Sequence, residues 1–464
     1  MVYLTLFITG CAHFQPRPIS ALQVASDFKD RTLNATEFKQ YLETNLHHEI
    51  TSWPPKSWDF SALMLAAFYY HPDLDVARAQ WGVAKAGIIS AGGRPNPSVG
   101  FTPQFNANSV TDISPWTLGF TFDIPIETAG KRGYRIVQAR HFCEAARLNI
   151  ASTAWQVRNR LRTNLLNLYA ANLIQETLEK ERTTQEDYVK DLEERAANGE
   201  VSWLLVTDAR LSRDQTLISL REAQRQVTQA RTEVAGALGI PVDALAEIQL
   251  SFDYFDEVPR PEELHPEELR RYALVNRADI LKALAEYAAS ESALQLEIAK
   301  QYPDIHLQPG YTFDQGDNKW ALGLTLTLPV LNRNEGPIAV AKARREEVGM
   351  QFLVIQSQVI NKMEQALAGY KLAFEKFETA NSFLATQKNK YLFLQNTLKN
   401  GEAGRLSLIH AQLDLDRTML SRIDAFIKVQ QALGAVEDAA QYPLDPSQGL
   451  PVSLETNISR ERKK

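Results

Sequence analysis

The sequence predicts a mainly α-helical protein with a small β part, made of long antiparallel helical hairpins and four β-strands per chain. Two observations lead to this prediction. The strand-like segment Pro115 to Pro125 recurs as Lys319 to Pro329, and a long stretch without proline follows each copy. Further landmarks appear in the same order in both halves, such as Asp73 with Asp279. The chain is therefore a tandem duplication of one unit: helix, hairpin, long helix, turn and helix.

The repeated strands separate apolar from small or polar side chains by strict alternation. Because successive residues of a strand point to opposite faces, the large apolar residues of each copy share one face. That face suits lipid or a core, whereas the other, with Gly323 and Thr325, is small and polar enough for a wet lumen. The residues that we expect to face lipid are Trp116, Phe120, Trp320 and Leu324.

A second alternating segment precedes each of these strands, at 99–106 and 305–314. The four strands have about the ten residues that a tilted strand needs to cross a bilayer. Four strands cannot close a barrel, and open strand edges in lipid are costly, so the chain must oligomerise if its strands span a membrane. The alternative is a four-stranded sheet that is half buried in a soluble α+β domain.

The proline-free stretches at 130–197 and 338–399 predict two very long helices. At ~1.5 Å per residue each forms a rod of about 100 Å. Both stretches end at Asn-Gly-Glu, at 198–200 and 400–402, where a left-handed glycine stops a helix. In the second rod, apolar residues spaced by seven predict coiled-coil packing; they are Met363, Tyr370 and Phe377, with Ile360, Leu367 and Phe374 between them.

The composition of successive segments predicts the domain organisation. Prolines and acidic residues between the two copies are typical of a linker. The predicted division is a lipoprotein signal peptide at 1–10, an N-terminal periplasmic segment at 11–60, repeat 1 at 61–240, a linker at 241–270, repeat 2 at 271–440 and a C-terminal tail at 441–464.

The first residues predict a lipid anchor. Ile8-Thr-Gly-Cys11 follows an apolar run and fits the pattern of a lipoprotein signal, in which the cysteine is acylated and becomes the first residue. The alternative is a chance cysteine, because the run is short and lacks a basic start. The only other cysteine, Cys143, would then be a lone thiol, so the sequence predicts no disulfide.

Charge and composition argue against several classes of function. A net charge of −6 and a pI near 5.9 disfavour a nucleic-acid partner. No apolar run is long enough to predict a transmembrane helix. Single scattered histidines give no metal-ligand spacing, and no motif of an enzyme active site is present. We therefore expect no catalytic residues, no cofactor and no resident metal.

Together, the tandem repeat, the segments at 123–132 and 328–336 and the Cys11 motif resemble the TolC-type outer-membrane efflux family over residues 60–440. The resemblance implies a homotrimer that is lipid-anchored in the outer membrane, with one 12-stranded barrel and a periplasmic tunnel of helices. It also implies docking to a periplasmic adaptor and an inner-membrane pump, and no enzymatic activity. The segment 127–132 resembles the branch that exports heavy-metal cations.

The turns between the long helices predict a periplasmic gate, because a narrow passage requires the helices to converge there. The candidate residues are Asp208, Arg405, Ser407 and His410. Some members of the family carry acidic residues at positions matching Ser407 and His410, and this chain departs from that pattern. His410 would instead form a titratable ring. The alternative is that these residues are ordinary solvated side chains.

The resemblance implies an outer-membrane channel that passively conducts small-molecule or metal-ion cargo. Two alternatives stay open. A periplasmic adaptor also has a helical hairpin and a lipid anchor, and an elongated coiled-coil scaffold lipoprotein has long rods. Neither alternative requires four amphipathic strands in two copies.

Overall fold

A computed structural model describes residues 14–46, 49–107, 113–246, 248–402 and 404–444. Cys11 and most of the predicted tail lie outside the described residues. Two helices precede the first repeat: α1 (Ala21–Lys29) and α2 (Thr36–Leu46).

The two halves contain the same elements in the same order. The first half holds α3 (Phe60–Tyr70), α4 (Pro72–Ala91), β1 (Ser98–Phe105), β2 (Trp116–Ile126), α5 (Lys131–Ala197) and α6 (Trp203–Leu238). The second holds α8 (Pro266–Asn276), α9 (Ala278–Ala299), β3 (Ile305–Asp314), β4 (Asp317–Leu326), α10 (Glu335–Lys399) and α11 (Arg405–Ala440). Between them lie α7 (Val242–Ala246) and two 3₁₀ turns, Asp253–Phe255 and Pro261–Leu264.

The two long helices are the rods that the sequence predicts. Helix α5 has 67 residues and α10 has 65, which gives each a length of about 100 Å. Both end where predicted, because Gly199 and Gly401 adopt φ +77° after the C-capping asparagines. Helix α10 begins at Glu335 rather than after Pro337. Proline is tolerated there because the first-turn N–H groups of a helix have no intrahelical acceptor.

The predicted heptad seam of α10 is only partly buried. Met363, Tyr370 and Phe377 are buried in the main core, as coiled-coil packing requires. Ile360 was placed in the same seam, but its side chain is 44% exposed. Leu367 and Phe374 are partly buried against the same core, so the second row of the seam is open only at Ile360.

One antiparallel sheet joins the two hairpins in the order β1-β2-β3-β4. Strands β2 and β3 come from different repeats, so their pairing connects the halves directly. A row of aromatic residues crosses all four strands on one face, from Phe101 through Phe120 and Tyr311 to Trp320. Within the chain, β1 and β4 are edge strands.

The helices pack side by side rather than around a compact centre. Near the sheet, α9 packs against both α5 and α10, and α4 packs on α5; further away, α6 and α11 pack on α5, and α11 packs on α10. The predicted linker is packed against the core, where Phe255 and Leu264 are buried and the Tyr370 hydroxyl donates to the Pro259 carbonyl oxygen. None of the described helices has the length and apolar character to cross a bilayer.

Candidate functional site

One face of the sheet is apolar and open. Its aromatic residues contact each other across the strands, with ring centroids 4.7 Å apart for Phe101 and Phe120 and 5.1 Å apart for Phe105 and Trp116. The four residues predicted to face lipid all lie on this face and are exposed, Trp320 by 82% and Leu324 by 66%. Leaving such a surface in water is unfavourable, which indicates a second apolar layer or lipid.

The opposite face carries polar pairs. Thr117 Oγ1 donates to Asp314 Oδ1 at 2.9 Å, and Thr325 Oγ1 donates to Gln308 Oε1 at 3.0 Å. At the end of the strands nearest the helices, His306 Nδ1 lies 3.0 Å from Asp123 Oδ1. This face is therefore suited to water and to charged solutes.

The segment 127–132, which resembles the metal-export branch, forms the joint between the sheet and α5. Ala129 and Gly130 have φ of 53° and 72°, so the chain turns sharply there. The turn buries Lys131, whose Nζ lies 2.7 Å from Asp304 Oδ1 and donates to the Tyr302 carbonyl oxygen at 2.6 Å. Lys131 is the first residue of α5, and Asp304 directly precedes β3. The ion pair therefore joins the rod of repeat 1 to the strand of repeat 2.

Further hydrogen bonds from the same joint reach α4 and β3. Arg132 Nε donates to the Gly92 carbonyl oxygen at 2.7 Å. Arg135 pairs with Glu127 and also donates to carbonyl oxygens at the end of α4. The Thr128 hydroxyl donates to the Pro303 carbonyl oxygen at 2.6 Å. Each polar residue of this motif therefore has a structural partner, which explains the motif without a metal ion.

At the other end of the rods, the two helical hairpins contact each other. A small apolar cluster closes the tip of the first hairpin, with Leu406 of α11 packed against it. Nearby, the Arg405 guanidinium lies 3.9 Å from Asp191 Oδ1. The ring of His410 lies edge-on to that of Tyr188, and its Nε2 is 3.2 Å from the tyrosine hydroxyl.

The four predicted tip residues do not form one cluster. Arg405 and His410 contact α5, whereas Asp208 lies exposed on α6 and Ser407 is exposed with its N–H donating to the Gly404 carbonyl oxygen at 3.1 Å. The polar contacts between the two hairpins near the tip are therefore those of Arg405 and His410 on α11 with α5.

A buried polar layer separates the tip cluster from the next apolar cluster along the rods. Gln185 Nε2 donates to Glu181 Oε1 at 3.1 Å, and Gln412 Nε2 donates to Asp416 Oδ1 at 2.8 Å. The oxygens Gln185 Oε1 and Asp416 Oδ2 are buried and have no hydrogen-bond partner within the described residues. Burial raises the pKa of both Glu181 and Asp416, although the Arg417 guanidinium, 4.0 Å from Glu181, opposes the effect there.

A second buried polar cluster joins the first repeat, the linker and the end of α11. The carboxylate of Glu437 lies 3.2 Å from the guanidinium groups of both Arg158 and Arg162. It also accepts hydrogen bonds from the Tyr254 hydroxyl and the Leu444 N–H. Burial would raise the pKa of Glu437, but the two guanidinium groups hold it below its usual range. The cluster lines a cavity of about 1260 Å³ over the linker.

Within the described residues, no group of three or more His, Cys, Asp or Glu side chains could hold a metal ion. Cys143 is a free thiol on α5 and is partly exposed.

Comparison with known proteins gives related chains. The profile of a family described as outer membrane efflux protein matches residues 67–240. The cobalt-zinc-cadmium resistance protein CzcC of Cupriavidus metallidurans is 25% identical over 287 residues, which span 61% of this chain and 65% of that relative. A membrane protein structure from Pseudomonas aeruginosa has a TM-score of 0.67 at 17% identity, covering 86% of this chain and 92% of the other.

The outer membrane protein VceC of Vibrio cholerae has the same fold, with a TM-score of 0.66 at 19% identity over 83% of this chain and 97% of that one. Residues 67–240 are thus similar to the outer membrane efflux proteins, and the fold is similar to that of VceC. The rods, the sheet and the duplicated order of elements belong to a fold that is similar to that of VceC.

Sequence reasoning missed the partners of the tip and joint residues. Tyr188 and Asp191 contact His410 and Arg405, yet a tyrosine and an aspartate are ordinary residues in a long polar helix. Asp304, the partner of Lys131, lies 173 residues away in sequence. One sequence signal could have singled out Asp304 as a residue of the joint: it directly follows Pro303, at the start of a repeated strand.

Proposed function

We propose that this protein is the outer-membrane channel of a tripartite efflux system, which passively conducts cargo received from an inner-membrane pump and a periplasmic adaptor. The sheet carries the proposal: it has one apolar exposed face, one polar face and two free edges, and it lies at one end of rods of about 100 Å. No soluble role requires this combination.

The two edges support a homotrimer. A strand edge facing lipid leaves backbone N–H and C=O groups without partners, which costs several kcal/mol for each group. Pairing β4 of one copy with β1 of the next removes every edge when the ring closes. Three copies give a barrel of about 12 strands, within the range of known membrane barrels. Exposed apolar residues on α10, among them Val340 and Phe393, offer a lateral contact for the neighbouring copy.

The remaining parts of the proposal follow from the sequence. We propose that repeats 61–240 and 271–440 each form one sixth of the wall of the trimer, and that 241–270 joins them within the chain. We also propose that Cys11 anchors the chain to the outer membrane through its acyl groups. The name of CzcC favours metal cations as cargo over small organic molecules.

Two measurements test the proposal. The mass of the protein in mild detergent should correspond to three copies, and the purified protein should conduct ions in planar lipid bilayers. A monodisperse monomer that stays soluble without detergent would contradict the channel. It would favour the alternative of a periplasmic adaptor or scaffold lipoprotein, neither of which needs lipid around its strands.

We also propose that the tip contacts hold the channel closed. The supporting geometry is the pair of links from α11 to α5, Arg405 to Asp191 and His410 to Tyr188. Tyr188→Phe removes the hydroxyl and keeps the ring, so it should raise the fraction of time for which a single channel is open. His410→Ala removes the same link from its other side and should raise the open fraction in the same way. An open fraction like that of the wild type would leave His410 a solvated residue.

A further inference from the structure

A histidine with one free ring nitrogen lies on the polar face of the sheet. His306 Nδ1 is 3.0 and 3.1 Å from the two carboxyl oxygens of Asp123. An ionised carboxylate only accepts hydrogen bonds, so Nδ1 carries a proton, and in the neutral imidazole Nε2 keeps its lone pair. The side chains of His306 and Asp123 are 38% and 35% exposed. Both side chains are therefore open in part to a solute in front of this face.

This pair supplies one possible metal ligand, the imidazole, and the carboxylate that would orient it. Histidines that bind metal ions usually donate their other ring N–H to a carboxylate, which fixes the tautomer and makes the imidazole a better ligand. Imidazole nitrogen suits divalent zinc, copper, nickel and iron, whereas magnesium and calcium prefer oxygen ligands. We propose that His306 Nε2 binds a divalent transition-metal cation in passage and that Asp123 is its positioning residue. The proposal rests on the proposed channel function.

The charges around the pair favour a cation. Asp304 lies just before the strand that carries His306, and its carboxylate is paired with Lys131 at 2.7 Å. The lysine therefore neutralises Asp304 and leaves the charge of Asp123 in excess. In the proposed trimer the same level of the wall carries three such carboxylates. A lumen lined by one sign of charge raises the local concentration of the opposite ion.

The register puts His306 and Asp123 diagonally across the polar face, on neighbouring rungs of the sheet. His306 is paired with Thr325 on one side and with Pro125 on the other, two residues beyond Asp123, and Asp123 is paired with Ser98. These rungs lie at the end of the strands that adjoins the helices. Each copy contributes a single imidazole, so the site binds weakly. Weak binding is what a conduit requires, because a cation must also leave.

The test is the effect of zinc on potassium currents through single channels in planar bilayers. All variants carry Cys143→Ser, which removes the free thiol as a competing ligand. Zinc should reduce the conductance reversibly, and magnesium at the same concentration should not. His306→Gln should raise the zinc concentration for half-effect at least tenfold. His141→Gln, a partly exposed histidine on α5, should leave it unchanged.

Asp123→Asn tests the positioning role. It keeps the imidazole and the shape of the pair, so zinc should still act, at a concentration about 10–100 times higher. Asp123→Glu should restore part of the zinc response. A purely structural role for Asp123 would instead change the potassium conductance or the trimer mass and leave the zinc midpoint alone. Equal zinc midpoints in wild type and His306→Gln would overturn the proposal, as would the lack of any zinc effect.

Calorimetric titration of the detergent-solubilised protein with zinc separates this proposal from that of the channel. If the protein forms no channel but zinc still binds and His306→Gln removes the binding, the metal site stands and the conduit is wrong. If channels form but His306→Gln binds zinc as the wild type does, the conduit stands and the site is wrong.

Discussion

Replacing Glu437 by glutamine should destabilise the folded chain by about 3–5 kcal/mol, the usual loss when one partner of a buried ion pair is removed. The side chain is 3% exposed, and the amide keeps its size, so no cavity contributes. What remains are the buried guanidinium groups of Arg158 and Arg162, each 3.2 Å from the replaced group and without its counter-charge.

Urea unfolding followed by helical circular dichroism in mild detergent measures the loss. For an m value of about 3 kcal/mol per molar, the midpoint should fall by about 1–2 M. The control is Glu222→Gln, which breaks the exposed pair of α6 with Arg225 and should change the midpoint little.

The pH dependence makes the prediction specific to the charge. The two guanidinium groups hold the pKa of Glu437 below its usual range, against the effect of burial. Its contribution to stability is therefore full above the unfolded pKa of about 4.3 and is lost as pH falls through the lower folded pKa. The difference between wild type and Glu437→Gln should shrink in that acid range. A midpoint that does not change at pH 7, or a difference that stays constant into acid, would refute a buried, paired carboxylate.

Three further outcomes are expected. Leu324→Arg should reduce trimer yield in detergent extracts, since a charge at the bilayer midplane costs about 2–4 kcal/mol in each copy, whereas Thr325→Arg should assemble better; equal yields would mean that the faces are misassigned. Burial raises the pKa of Asp416 in the folded chain. The ionised carboxylate therefore lowers the free energy of unfolding, and this loss grows as pH rises from the unfolded pKa of about 3.9 through the higher folded pKa. Asp416→Asn should therefore raise the urea midpoint at pH 7 and not at pH 3; a wild-type midpoint that rises with pH relative to the variant would contradict this. Mass spectrometry of membrane-extracted protein should find Cys11 acylated and first in the chain, and an intact Met1 with unmodified Cys11 would exclude the anchor.

The rods and strands were predictable because the forces that define them are local. A helix stop at Gly199 and Gly401 requires only that glycine adopt a left-handed conformation, and both have φ +77°. The alternation of the strands is likewise a property of neighbouring residues, and in the observed register Tyr311 and Trp320 are paired on the apolar face. The duplication supported the prediction of each helix and strand, because both copies had to fit the same pattern.

The polar clusters were not predictable because their partners are far apart in sequence. Arg158 and Glu437 are separated by 279 residues, and no motif joins them. A buried arginine also contradicts the usual rule for rods, in which charged residues are read as solvated. From the sequence, the segment from Glu127 to Arg132 resembles the branch of the family that exports metal cations. In the structure, each polar residue of that segment has a hydrogen-bond partner at the joint between the sheet and α5.

Two buried polar clusters tie the repeats together, one beside the sheet and one beside the linker. Lys131 and Asp304 connect repeat 1 to repeat 2 beside the sheet, and Glu437 connects them again beside the linker. At the tip, the corresponding contact between α5 and α11 is an exposed arginine 3.9 Å from Asp191. Exposed pairs contribute about 0–1 kcal/mol, several times less than a broken buried pair costs. The protomer should therefore separate first at the tip, where we propose a gate, while the sheet end stays fixed.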